Sequence, residues 1–379
     1  MIERSNAAGR AGSEFVVKLA TKLDDVHEDW RSLSERAGNI FGTWEWISTW
    51  WHHFGRERPL FVGVCRSGPV DAEVKAILPL YLAARRPVRV LRMLGHGPTD
   101  QLGPVCLVGD RVVAARALRW FLDDLQPHWD ALIADELPDS IDWPGLLGGR
   151  LLARTASPTT RLAGSTYAEW LASRSANLRS TLHRGERGLA AYGTVRYRTT
   201  TDVDRVLHDL DTLLTLHEAR WRIRGGSRAF VNRKAFHRDV VTQMFARGWL
   251  RLRFLEVDGH PIAGLYNLRF AGSESFYQSG RDPRFDRYSP GLLLHAHAIR
   301  DAFESGCHEY RFLRGDEPYK RRFADHDPGL QSVGVARGGG GRLAVALLGR
   351  LHSLPRWAIR RMPAPFAWGT GGAPFWGPP

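Results

Sequence analysis

Apolar positions in the first 150 residues switch between two periods. Residues 60–66, 74–82 and 88–94 read as short strands, and Ser67, Gly68 and Pro69 form a turn between the first two. Residues 14–20 and 129–136 read as further strands, while 26–37 and 111–125 carry apolar side chains at helical spacing. The stretch 41–55, FGTWEWISTWWHHFG, puts Trp46, Trp50, Trp51 and Phe54 on one helical face, which fits a core stripe better than a ligand platform. Strand and helix alternate through this half, so a mixed α/β layer is expected.

Small and polar residues at 158–166 mark the best boundary. Beyond it the pattern predicts a helical region at 167–191, a strand at 194–199, and helices at 203–222 and 233–247. Strands follow at 250–257, 261–270 and 275–279, the first two joined by the turn Asp258-Gly259, then a helix at 290–305 and a strand at 308–313. Three segments are expected: 14–157, 158–333, and a basic tail rich in Gly and Pro at 334–379. In that tail 343–362 reads as a basic amphipathic helix broken at Pro355, suited to an anionic membrane surface or a partner groove, or else as an extension without fixed structure.

Charge narrows the partners. The formal net charge of +13 points to anionic ligands: a phosphorylated cofactor, nucleic acid, anionic lipid or an acidic glycan. Three scattered cysteines make neither a disulfide framework nor a zinc pattern, and no run approaches a membrane span, so a cytoplasmic protein without a metal is expected. No GxxxxGK[ST], no GxGxxG after a strand and no GxSxG occurs, which disfavours P-loop, dinucleotide-binding and α/β-hydrolase readings.

Candidate chemistry concentrates between residues 276 and 320. Ser289 is the expected N-cap of the 290–305 helix, Pro290 suits its first position, and Gly291 lets a ligand approach the backbone. With Arg281, Arg284 and Arg287 in the preceding loop, this helix start fits a pyrophosphate. Downstream, RGDEPYK crowds Asp316, Glu317, Tyr319 and Lys320 into one turn. There Asp316 or Glu317 could deprotonate an acceptor, Tyr319 protonate a leaving group and Lys320 hold an anionic group. The basic face of Arg179, His183 and Arg187 fits either a solvated surface or an anion contact. His217 is a reserve base one helical turn from Trp221. Trp221 and Asp282 are assigned to the acceptor side, and Asp100 fits a turn cap or a site wall.

The runs LHEARW (216–221), DGHPIAGLYNLRF (258–270), SGRDPRFDRYSPGLLL (279–294) and FLRGDEPYK (312–320) resemble the CelD-like branch of the GNAT acyltransferase superfamily, named for cellulose biosynthesis, over roughly 162–324. The resemblance implies an α/β (α+β) fold of two tandem GNAT-like modules, each a mostly antiparallel sheet flanked by helices, related to FemAB-type peptidyltransferases. It implies acetyl-CoA or another acyl-CoA as co-substrate, with its pyrophosphate on Arg287, Tyr288, Ser289, Pro290, Gly291 and Leu292. Leu292 stands where the family loop carries a small residue. The implied acceptor is a small molecule, sugar or glycan precursor bearing an amine or hydroxyl. Two other readings are a FemAB-like transferase using aminoacyl-tRNA and a non-catalytic accessory protein of polysaccharide synthesis at the inner membrane.

Overall fold

The computed structural model describes residues 15–68, 72–125, 129–222 and 230–353. Pro69, the loop after Arg222, the first 14 residues, Pro355 and the rest of the expected tail lie outside them. The chain is α/β and divides into two compact units, each a sheet flanked by helices; of the described residues, 15–155 and 329–353 belong to one and 156–328 to the other.

The first unit runs through β1 (Val16–Ala20), α1 (His27–Ala37), α2 (Trp44–Trp50), β2 (Leu60–Arg66), β3 (Val74–Ala84), β4 (Val90–Met93), β5 (Val105–Cys106), α3 (Arg111–Asp124), β6 (Ala131–Pro138), α4 (Trp143–Leu147) and β7 (Arg150–Thr155). Trp46 and Trp50 are buried, and their indole N–H groups donate to Thr99 Oγ1 (2.8 Å) and the His96 carbonyl (3.1 Å), so these two are core. Asp100, next to Thr99 in the chain, is likewise buried.

The second unit comprises β8 (Thr159–Arg161), α5 (Tyr167–Ser173), α6 (Ala176–Tyr192), β9 (Val195–Thr199), α7 (Val206–Arg222), α8 (Lys234–Ala246), β10 (Leu250–Val257), β11 (His260–Phe270), β12 (Ser273–Arg281), α9 (Pro290–Glu304), β13 (Glu309–Arg311) and α10 (Pro318–Arg321). The helical region expected at 167–191 consists of two helices, because Ser175 Oγ accepts from the Leu178 N–H and starts α6 afresh. Arg179, His183 and Arg187 are exposed on it.

The sheet order is β8-β13-β12-β11-β10-β9, antiparallel except where β12 meets β13. Asp258 and Gly259 both take positive φ (49° and 77°), giving β10 and β11 the tight hairpin the sequence announces. Ala271 and Gly272 (47° and 73°) make the same turn before β12, and with no Asn or Asp to mark it, β12 starts two residues earlier than its pattern suggests.

The chain then returns to the first sheet. β14 (Leu330–Ala336) pairs antiparallel with β6 and β7, so residues 330–333 belong there and not to the second module, and the tail does not begin at 334. The helix expected at 343–362 is observed as α11 (Gly338–Ser353), at least as far as the described residues go. Val345 is buried with Ala131 and Ile133, and the partly buried Ala344, Leu348 and Leu152 pack against them, while Leu343 and Leu347 are exposed. Among the described residues no helix is long and apolar enough to cross a membrane.

Candidate functional site

β12 and β13 are hydrogen-bonded only from Ser273–Glu309 to Ser275–Arg311, and then they part. The chain beyond β13 follows the 156–158 segment instead: the Phe312 N–H donates to the Pro158 carbonyl (2.8 Å) and Gly315 N–H to that of Ala156 (2.9 Å). Leu313 and Gly315 make this turn at φ of 56° and 117°. Lys320 holds it. Its buried ammonium donates to the carbonyls of Arg314 (2.8 Å) and Leu313 (3.5 Å) and pairs with Glu317 at 2.9 Å. A cavity of about 320 Å³ adjoins the unpaired half of β12, with Ser279, Gly280 and Arg281 on one wall, Tyr319 on another and the start of α9 as its floor.

That floor differs from the expected one. Ser289 does not cap α9 through its side chain; it sits at φ 54°, ψ 48° and its carbonyl accepts from the N–H groups of Leu292 (2.9 Å) and Leu293 (3.2 Å). Pro290 is buried and has no N–H, so Gly291 is the first-turn residue whose N–H these bonds leave for a ligand. A side chain at Gly291 would meet nothing within 4 Å, and the residue lines the cavity with Ser289 and Leu292.

The three loop arginines do not converge. Arg281 reaches the cavity but pairs with Asp286 (2.6 Å), and Arg284 pairs with Asp282 (2.6 Å), which also caps the turn Pro283–Tyr288. Arg287 stacks on Tyr288 at 4.6 Å, and with Asp282 they line a separate hollow of about 490 Å³. α6 fixes this loop. A Cβ at Gly185 would strike the Tyr288 carbonyl, and one at Gly188 would lie 2.7 Å from its ring.

The RGDEPYK turn separates by role. Asp316 is exposed in an ion pair with Arg321, whose guanidinium holds the carboxyl below its usual range. Glu317 and Lys320 form the latch just described, so of the four expected residues only Tyr319 lines the cavity. No protein partner takes its hydroxyl among the described residues, and burial raises the phenol well above its ordinary value, which keeps the proton on oxygen.

α7 contributes residues the sequence left obscure. His217 is buried and its Nδ1 donates to the Ser279 carbonyl (2.8 Å), so it braces β12 from behind; burial, with Arg220 nearby, lowers it to about 4. Trp221 is buried beside it, with the Arg220 guanidinium 5.1 Å above its ring. Arg220 itself lines the cavity and donates to Ser279 Oγ (2.7 Å). A Cβ on Gly280 would collide with the α7 backbone at Leu216 and His217, so only glycine lets helix and strand approach this closely.

The other missed residue is His295, on α9 one turn past Gly291. It is buried, lines the cavity, and is boxed by the rings of Phe276, Phe312 and Tyr319 at 4.6–5.5 Å. Burial, with Arg220 and Lys320 nearby, lowers it to about 3, so the ring is neutral. Gly291 and His295 are four apart on a predicted helix, a signal present in the sequence but hidden among the helix's apolar face.

The cavity therefore offers donors: Tyr319 Oη–H, Arg220, the Gly291 N–H, and Arg281 beside its carboxylate. It suits developing negative charge better than proton abstraction. Among the described residues no group of three or more His, Cys, Asp or Glu side chains could hold a metal.

The two histidines also set acid stability. Their folded values, about 4 and about 3, lie below the unfolded value of about 6.5. Below that pH the unfolded chain takes up protons the folded chain refuses, so stability is lost as pH falls. Each histidine is expected to cost roughly 2 kcal/mol between pH 6.5 and 5. Urea denaturation of the second unit at pH 7 and 5 checks this; equal midpoints would refute it.

Comparison with known proteins agrees with this geometry. Residues 176–321 match the family model described as Acetyltransferase (GNAT) domain, so this segment is similar to that domain. Among solved structures, FemX is similar over 88% of this chain and 100% of its own (11% identity, TM-score 0.59). The C-terminal domain of a putative lysylphosphatidylglycerol synthetase from Agrobacterium fabrum is similar over 85% and 95% (12% identity, TM-score 0.56). L-PGS from Bacillus licheniformis is similar over 86% and 95% (13% identity, TM-score 0.53). At these identities the likeness establishes the fold. No curated protein matches the sequence.

Proposed function

We propose that this protein transfers an acyl group from acyl-CoA, acetyl-CoA in the first instance, to an amine or hydroxyl of a polysaccharide or cell-envelope precursor, as a member of the CelD-like branch. The observation that carries the reading is the parting of β12 from β13 beside a donor-rich cavity, within the segment that matches the GNAT domain. The thioester carbonyl lies along the unpaired edge of β12, and the carrier's phosphates meet the Gly291 N–H, Arg281 and Arg220. The acceptor attacks the acyl carbon, the carbon–sulfur bond breaks, and Tyr319 protonates the departing thiolate. The acceptor's proton passes to solvent, from which Tyr319 is reprotonated. Lys320 and Glu317 act on the backbone, not the substrate.

A second reading has the acyl group arrive as an aminoacyl ester on tRNA. Fold likeness to FemX and lysylphosphatidylglycerol synthetase favours it, and the charge of +13 suits a nucleic-acid carrier.

Thermal protection separates the two. Saturating acetyl-CoA at about 100 times its dissociation constant is expected to stabilise the protein by about 2.7 kcal/mol, read as a raised melting temperature, while charged tRNA gives no shift. Protection by aminoacyl-tRNA alone would replace the first reading with the second. Protection by neither would leave a non-catalytic role.

A further inference from the structure

Behind the cavity lies a buried chain of polar side chains that runs from the Glu274 carboxylate through Asn267 and Tyr310 to His295. Glu274 is wholly buried, with Arg253 on both oxygens (2.5 and 3.0 Å) and Arg269 on one (2.7 Å). Asp301 joins both arginines. Burial alone would raise the Glu274 carboxyl; the two guanidinium groups and the Asn267 amide overcome this and hold it below its usual value. An ionised carboxylate only accepts, so the contact from Asn267 at 2.7 Å must be its NH₂ group.

The second hydrogen of that NH₂ points to Tyr310 Oη at 3.0 Å. The phenol oxygen thereby accepts one hydrogen bond, and among the described residues His295 Nδ1 at 3.2 Å is the only other hydrogen-bond partner of this hydroxyl, so the phenol's own proton is assigned to it. A neutral imidazole that accepts at Nδ1 carries its proton on Nε2. No described residue takes that N–H, and the ring lines the cavity.

We infer that the Glu274–Asn267–Tyr310 chain holds His295 as the Nε2–H tautomer, and that this N–H is the side-chain donor that receives the oxyanion formed on the transferred acyl group. The second half rests on the acyl-transfer reading above; the first half does not. While the acceptor's bond to the acyl carbon forms, the carbonyl electron pair moves onto oxygen and is held by Nε2–H. It returns as the bond to the carrier breaks, and His295 gives up no proton. Asn267 and Tyr310 are positioning residues. A general-base role for His295 is blocked, because its unprotonated nitrogen, Nδ1, is already engaged with Tyr310.

The test begins without substrate. In the full chain with ¹⁵N-labelled histidine, long-range ¹H–¹⁵N correlation is expected to show His295 protonated at Nε2 and bare at Nδ1, the signal being identified by its loss in His295→Leu. A proton on Nδ1 would overturn the inference, whatever the protein transfers. Tyr310→Phe is expected to release the constraint, giving a mixture of both tautomers and a fall in kcat of about tenfold with the donor KM unchanged. His295→Leu should lower kcat by about 10²–10³-fold, as for loss of one oxyanion donor. If His295→Leu does not fold, Tyr310→Phe decides, because its ring remains in place. The Nε2–H tautomer with unchanged kcat in Tyr310→Phe and in any folded His295 variant would remove the oxyanion assignment. If the protein proves to transfer no acyl group, that assignment falls with the acyl-transfer reading, while the tautomer result stands.

Discussion

Tyr319→Phe is expected to lower acyl transfer by about 10²–10⁴-fold while leaving donor binding within about twofold. The phenol oxygen is the group lost. The ring stays, and it packs with its centroid 5.5 Å from that of His295, so the wall of the cavity keeps its shape. The loss should fall on kcat, since a proton given to the leaving group matters only as the bond breaks. It should also be largest for carriers that leave as the more basic anion and smallest for an activated aryl thioester, which needs no proton. A variant that keeps full kcat with acetyl-CoA would exclude Tyr319 as the acid. Asp316→Asn serves as the contrast: its carboxylate is exposed and paired with Arg321, so turnover should stay within about twofold.

The largest effect on stability is expected at Glu274. Glu274→Ala strips Arg253 of both carboxylate bonds inside the sheet and leaves Asp301, itself 37% exposed, to neutralise two arginines. Removing one partner from a buried charge cluster typically costs about 3–5 kcal/mol, a large share of the roughly 5–15 kcal/mol that holds a domain together. Because the chain has two units, the fitting measurement is native-state hydrogen exchange at amides of β10, β11 and β12, which reports on this unit alone. Opening free energies reduced by less than about 1 kcal/mol would refute the estimate. Restoring packing with apolar residues at positions 253, 269 and 274 together should recover much of the loss.

The strands and helices of the second unit were legible because each is long and strongly periodic. β10, β11, α7, α8 and α9 fall within a few residues of their patterns. β13, expected at 308–313, is observed at Glu309–Arg311, whereas β8 and β14 were poorly legible because three and seven residues hold too few periods and each owes its pairing to a distant partner. β14 illustrates this: Leu330–Ala336 lies some 190 residues from β6, and nothing local says that it closes the first sheet.

At the site, a cluster of like residues in sequence misled where backbone geometry decides. Arg281, Arg284 and Arg287 look like one anion clamp, but the turn Pro283–Tyr288 points them apart, and two have carboxylate partners at hand. Asp316, Glu317 and Lys320 look like reacting groups. Lys320 instead satisfies carbonyls exposed by the left-handed turn at Leu313, a need that appears only where the chain beyond β13 parts from β12.

The sequence by itself determined the α/β class, the α9 start with Pro290 and Gly291 after a strand, and Tyr319 as a residue of interest. These depend on period, on turn chemistry and on residues close together in the chain. Tertiary structure alone decided which side chains share the cavity. Arg220, Gly280, His295 and Tyr319 meet because α7 packs on β12 through Gly280 and because β12 and β13 separate after Ser275. It also decided the protonation of His295, since a tautomer follows from who donates to whom among Glu274, Asn267 and Tyr310, and those partners come from three different strands.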